Sequence, residues 1–171
     1  MVDPIVIRRA VERDLPRMAQ LAGELVRLHH AADPSRFLLV DNVEEGYAWW
    51  FGRELARAGA VLLVASRSES IAGYTYGTLE ERDWNMLLDA HGAVHDIYVD
   101  AAARRTGIGG KLVDAMVDEL ERLGAPRIVL STMVHNEEAQ RLFARHGFRP
   151  TMLEMTRDAA PLRRSDADLR E

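Results

Sequence analysis

The chain contains no cysteine. That single absence removes disulfides, thiolate-ligated metals and cysteine nucleophiles together. No stretch of about 18 consecutive apolar residues is present, so no hydrophobic spanning helix is expected. The opening Met1-Val2-Asp3-Pro4 has neither the basic nor the apolar region of a signal peptide. These absences predict a soluble, cytoplasmic protein without a membrane partner. The six histidines show no His-Glu-x-x-His spacing, and no metal is expected. Basic residues are outnumbered, 22 against 27 acidic, for a net charge of −5. That balance disfavours a nucleic-acid partner and leaves one local basic patch, Arg104, Arg105 and Lys111, suited to a small polyanion.

What is present describes one ordinary globular domain: 171 residues, 47% hydrophobic and 29% charged. Ile5 to Arg9 alternates like a strand. Asp14 then precedes a helical pattern of Leu15, Met18, Leu21, Ala22, Leu25 and Leu28 ending near His30, with Pro16 in its first turn. Residues 31–41 read as a loop around Asp33-Pro34. Asn42-Val43-Glu44-Glu45 predicts a capping box for a second helix carrying Tyr47, Trp50, Phe51, Leu55 and Ala58. Two strands, 60–65 and 71–79, flank a polar turn as a hairpin. A connection over 80–92 containing Trp84 leads to a strand, a long helix to Leu123, a break at Gly124-Ala125-Pro126, a strand over 127–133, a helix over 137–146 and a last strand over 152–156. The order β-α-α-β-β-β-α-β-α-β predicts an α/β fold with a sheet of mixed direction. The domain is expected to span 1–157, with a charged tail over 158–171 that is a candidate dimer-closing segment.

The most informative stretch joins Asp96-Ile97-Tyr98-Val99-Asp100 to Arg104-Arg105-Thr106-Gly107-Ile108-Gly109-Gly110-Lys111. A strand enters a basic, glycine-containing loop, and the loop opens a helix with Ile108, Leu112, Ala115, Met116, Leu120 and Leu123 on one face. The first N–H groups of a helix have no intrahelical partner, and the dipole adds positive potential, so a phosphate is the natural occupant. A dinucleotide fingerprint starting at Gly107 would need glycine where Leu112 stands. A Walker A loop would need glycine at Arg105 and Ser or Thr at Leu112. What remains is Arg104-x-x-Gly107-x-Gly109. Downstream, Asn136-Glu137-Glu138-Ala139-Gln140-Arg141-Leu142-Phe143-Ala144-Arg145-His146-Gly147-Phe148 supplies a second segment about one helix further on.

The first pattern closely resembles the acetyl-CoA loop of the GNAT superfamily of N-acetyltransferases, and the second is similar to its Asn-x-x-Ala-x-x-Leu-Tyr-x-x-x-Gly-Phe segment. The resemblance runs from Ile5 to about Met155. It implies a mixed sheet whose two central parallel strands splay apart, with the pantetheine arm of CoA lying between them. It further implies that pyrophosphate meets the backbone of Arg104, Arg105, Thr106, Gly107, Ile108, Gly109 and Gly110, and that pantetheine pairs with backbone near Ile97 and Val99. Asn136 and Phe143 would lie beside the arm. The N–H of Val99 would polarise the thioester carbonyl.

The implied reaction needs a deprotonated amine. Removing the proton of an alkyl ammonium at pH 7 costs on the order of 4 to 5 kcal/mol. Asp96 lies where the family often places the accepting carboxylate. His95 alternates to the opposite face unless a bulge intervenes, and reads as structural. The family tyrosine that protonates the departing thiolate aligns with Phe143, which has no proton to give; Tyr98, Tyr74, Tyr76 or water would substitute. The implied acceptor pocket brings in His29, His30, Arg36, Phe37, Tyr47, Trp50 and Trp84, of which His30, Phe37 and Trp84 are the candidate substrate contacts. Tyr47, Trp50 and Phe51 read first as core, and one of the adjacent pair Trp49 and Trp50 must lie outside it.

The expectation is thus acetyl transfer from acetyl-CoA to a small primary amine. The alternatives are acylation of a protein or peptide N-terminus, transfer of a longer acyl group, or an acyl-CoA-binding sensor with little turnover.

Overall fold

The computed structural model describes residues 4–159. Its centre is a five-stranded sheet in the order β1-β2-β3-β4-β5. The strands are β1 Val6–Arg9, β2 Ala60–Arg67, β3 Ser70–Glu80, β4 His91–Val99 and β5 Ile128–Leu130. Successive pairs from β1 to β4 are antiparallel, and β4 pairs with β5 in parallel. Both faces are covered, so β2 is buried along six successive residues and reads as a continuous apolar run rather than an alternation.

One face carries helices α1 Leu15–Ala32 and α2 Val43–Leu55. The α1 stripe Met18, Leu21 and Ala22 meets Phe51 of α2 and the inward side chains Leu62, Val64, Tyr74 and Tyr76. Burying each of the larger ones is worth about 1.5 to 3 kcal/mol. The opposite face carries α3 Ile108–Arg122, whose Met116 and Leu120 pack on Val61, Leu63 and Val94. Ile108 and Leu112 of α3 meet Ala65, Ile97 and Val99. The last helix among the described residues is α4 Glu137–Arg145, which lies against the start of α3.

Three local expectations are corrected. Asn42 precedes α2 in the left-handed region, at φ 58°, and its side chain makes no cap bond, so the capping box does not form. The α2 entry is instead held by the Gly46 N–H on the Asn42 carbonyl at 3.1 Å. The strand expected over 127–133 is shorter, Ile128–Leu130. The strand expected over 152–156 is absent: Met152, Leu153 and Met155 are exposed, so no buried face sets a register. This segment reaches the α1–α2 loop instead, through Glu154 with Arg36 and Asp158 with Ser35. The tail assigned to 158–171 lies, beyond residue 159, outside the described residues.

Candidate active site

At the end of β4, the Asp100 N–H donates to the Ala72 carbonyl of β3 at 2.8 Å. Backbone groups alternate sides along a strand, so those of Ile97 and Val99 point away from β3. On that side pairing with β5 stops at Val94 and Leu130. The C-terminal half of β4 therefore presents an open edge, which is the splay expected between the parallel strands.

That edge runs into the start of α3. Asp100 turns the chain by accepting the Ala102 N–H at 2.9 Å, and the Thr106 hydroxyl donates to the Ala103 carbonyl at 2.6 Å. Arg105 and Gly107 both have positive φ, 61° and 83°. Glycine relieves the strain that an L side chain would meet at 107. The Arg104 N–H reaches the Ala101 carbonyl at 3.5 Å and the Lys111 N–H reaches the Gly107 carbonyl at 3.2 Å. Between them, the backbone N–H groups of residues 105–110 donate to no acceptor among the described residues. These free donors lie at the positive end of a 15-residue helix, where a phosphate is favoured. A Cβ on Gly110 would stand 3.0 Å from Nε2 of His146, so the absence of a side chain there lets α4 close on α3.

Arg104 does not extend toward the helix start. Its Nε donates to the Val99 carbonyl at 3.1 Å and its Nη2 to the Tyr98 hydroxyl at 3.0 Å, and its guanidinium lies 5.2 Å from the Tyr98 ring. The Val99 carbonyl is thereby occupied while its N–H still faces the open edge. Tyr98 is buried, and its hydroxyl donates to Glu24 of α1 at 3.1 Å.

On the α1–α2 face, β3 and β4 slip register: Tyr76 pairs with Asp96 but Gly77 pairs with Val94. His95 is the extra residue of a β-bulge, and the bulge cancels the alternation that would part it from Asp96. Both side chains line a cavity of about 790 Å³ between the end of α1, the loop before α2, the start of α2 and β4. Asp96 accepts from the Tyr74 hydroxyl at 3.1 Å. Burial pushes its carboxyl above the ordinary value, against the opposing pull of that hydrogen bond and of His29. Burial also holds Tyr47 up to about 12, with the Asp96 charge adding to the effect.

The His95 ring stacks on Tyr76 at 5.0 Å between centroids. Its Nε2 lies 2.7 Å from the Thr78 hydroxyl, which donates its own proton to Glu80. Nε2 must therefore carry the hydrogen, and Nδ1 keeps a lone pair. Desolvation lowers the His95 pKa, with Glu80 opposing, so the ring is neutral near pH 7 although 41% of its side chain is exposed. The cavity thus holds a carboxylate and a neutral imidazole, either able to accept a proton.

Of the expected acceptor residues, His29, Arg36, Phe37, Tyr47 and Trp50 line the cavity. Tyr47 and Trp50 also pack against the main core, and Phe51 belongs to it. Trp49 is the partner left outside, 65% exposed, under Arg53. His30 is turned aside, its Nδ1 2.7 Å from the Phe37 carbonyl, and does not line the cavity. Trp84 is 74% exposed beside Arg82, also away from it. Asn136 spends its side-chain oxygen on the Ala139 N–H at 3.1 Å, capping α4. Phe143 is half-buried, edge-on to Phe148 at 6.0 Å. Sequence reading missed Leu25, Val26, Val40, Asp41, Val43 and Gly46, because a scattered wall carries no periodic signal.

Among the described residues no group of three or more His, Asp or Glu could hold a metal ion, and no helix is long and apolar enough to cross a membrane. The chain is 29% identical over 91 residues to an uncharacterized N-acetyltransferase, YhfO, of Bacillus subtilis, covering 52% of this chain and 58% of that protein. It superposes on a tetramutant of the BH1408 protein of Bacillus halodurans with a TM-score of 0.76, at 20% identity, over 90% of this chain and 99% of the other. It also superposes on an aminoglycoside N-acetyltransferase, AAC(6')-Iy, solved in complex with CoA, with a TM-score of 0.74, at 14% identity, over 93% and 97%. A model of the acetyltransferase (GNAT) family matches residues 24–148, which contain the open strand edge, the phosphate-suited turn and most of the cavity wall, and the chain belongs to that family.

Proposed function

We propose that this protein transfers the acetyl group of acetyl-CoA to a primary amine, which attacks the thioester directly in a ternary complex. The observation that carries this reading is the open edge of β4, leading through the turn at residues 100–104 to the unpaired N–H groups of residues 105–110, with Asp96 facing a cavity from the same strand. Bound acetyl-CoA would supply an activated acyl carbon. The backbone of residues 105–110 would hold its pyrophosphate, and that of Ile97 and Val99 its pantetheine amides. Asn136 and Phe143 would border the arm.

The Val99 N–H donates where negative charge develops on the carbonyl oxygen, and one such donor is worth roughly 3 kcal/mol in the transition state. Asp96 draws the ammonium into the cavity and accepts its proton. Phe143 offers no proton to the departing thiolate. A thiol of pKa about 8.5 leaves tolerably well unaided near neutral pH. Tyr98, which burial keeps protonated, is the hydroxyl on the cofactor strand, and returning a proton from it would break its bond to Glu24.

Phe143 is also the observation that favours a second reading, binding of acyl-CoA with little turnover. CoA release from acetyl-CoA, followed with a thiol-reactive dye over a panel of amines and short peptides, separates the two. The chain has no cysteine and adds no thiol background. Amine-dependent release establishes the transferase. Acetyl-CoA binding with a flat panel overturns it in favour of the second reading.

A further inference from the structure

The walls of the cavity are lopsided in chemistry. Leu25, Phe37, Leu38, Val40, Tyr47 and Trp50 are among the apolar or aromatic residues of its wall. The charged groups in the wall are Asp96, Asp41 and Arg36. Arg36 lies 4.9 Å over the Phe37 ring and is paired with Glu154, so its charge is balanced on the loop side. Asp41 is exposed, so the partly buried carboxylate is that of Asp96 alone. Along the loop, Leu38, Leu39 and Val40 are 72%, 45% and 53% exposed. Contiguous apolar side chains left in water around a cavity mark a surface that a ligand covers.

From this arrangement we infer that the acceptor is a monoamine with an apolar, ring-bearing or long alkyl body, rather than a polycation. The inference rests on the acetyltransferase reading above and names its substrate class. The ammonium is drawn to Asp96, while the body lies among Phe37, Val40, Tyr47 and Trp50. Apart from Asp96, the only carboxylate in the wall is the exposed Asp41, so a second or third ammonium lying among Phe37, Val40, Tyr47 and Trp50 would find apolar wall where it needs an anion. Desolvating such a charge without a partner is unfavourable. A peptide amine fits poorly for a related reason, since its flanking amides would lie against side chains that cannot hydrogen-bond them.

Two measurements on the full chain test this. The first is kcat/KM for 2-phenylethylamine, hexylamine, spermidine, kanamycin and a short peptide, read by CoA release. The expected result is a preference of about tenfold or more for the first two amines. Turnover that favours spermidine, kanamycin or the peptide, or that fails to discriminate, overturns the inference while leaving the acetyltransferase intact.

The second is quenching of tryptophan fluorescence by 2-phenylethylamine in the presence of CoA, which needs no turnover. Of the three tryptophans only Trp50 lines the cavity, so saturable quenching should vanish in Trp50→Phe. Quenching without CoA release would retain the cavity's ligand class and overturn the enzymatic reading. Absence of saturable quenching in the parent protein overturns the ligand class. Val40→Asp, at an exposed wall position, should move the preference several-fold toward 1,6-diaminohexane over hexylamine.

Discussion

The two sides of β4 are built from different materials. Toward β5 and α3 the strand offers backbone: the N–H of Val99, the groups of Ile97, and the unpaired donors of residues 105–110. Toward α1 and α2 it offers side chains: His95, Asp96 and a wall gathered from α1, a loop and α2. A backbone site recognises what every acyl-CoA shares, a pyrophosphate and an amide-bearing arm. A side-chain site can be rewritten residue by residue without disturbing the sheet. On the proposed reading, the molecule keeps its constant ligand on its constant part, and its acceptor on the part free to vary.

If that division is right, a change on one side should leave the other unaffected. Asp96→Asn is expected to have the largest effect, lowering kcat/KM by about a hundredfold or more with CoA affinity unchanged. Loss of CoA affinity in this variant would break the division. The wild-type rate should fall as pH drops through the Asp96 pKa, which lies above 3.8, because the protonated acid neither attracts nor relieves an ammonium. Asn should flatten that limb. The same raised pKa means that ionising Asp96 opposes folding, so its stabilising contribution is present below 3.8 and is lost as pH rises through the folded-state value.

Gly107→Val is the converse test. A β-branched residue at φ 83° costs about 1 to 2 kcal/mol, so CoA should bind about tenfold more weakly. Amine binding, read by Trp50 quenching, should stay unchanged.

Phe143→Tyr probes the boundary between the sides. If the thiolate leaves without help, kcat should change by less than about tenfold; a larger gain would show that a proton donor is the missing component.

Trp49→Ala should matter least. The ring is exposed beside Arg53, a contact worth about 0.5 to 1 kcal/mol, and thermal unfolding and turnover should both remain close to the parent.

The same division explains what could be read in advance. The strand, turn and helix that the proposal assigns to the cofactor were legible because they are local backbone geometry, and local geometry leaves marks such as Gly107, Gly109 and the amphipathic stripe from Ile108 to Leu120. The order of elements was legible for the same reason, apart from the last strand, where apolar residues over 152–156 found no sheet face to cover. The acceptor side was legible only in outline. Tyr47 and Trp50 read as core because helical spacing cannot separate a residue that packs against the core from one that also borders a cavity. Trp84 and His30 looked available in sequence, but one stands in solvent and the other is bonded to the Phe37 carbonyl.

His95 shows the limit most clearly. Period-two alternation assigns it to the face opposite Asp96, and no residue type in the strand announces the bulge that reverses this. A register slip is a property of two strands together, here where Tyr76 and Gly77 of β3 face Asp96 and Val94 of β4. The sequence by itself determined the family, the order of elements and the strand, turn and helix that carry the unpaired N–H groups, because these depend on neighbours along the chain. The pairing of His95 with Asp96, the apolar walls beyond them and the exclusion of His30 and Trp84 were decided by the tertiary structure, because they depend on neighbours that only folding brings together.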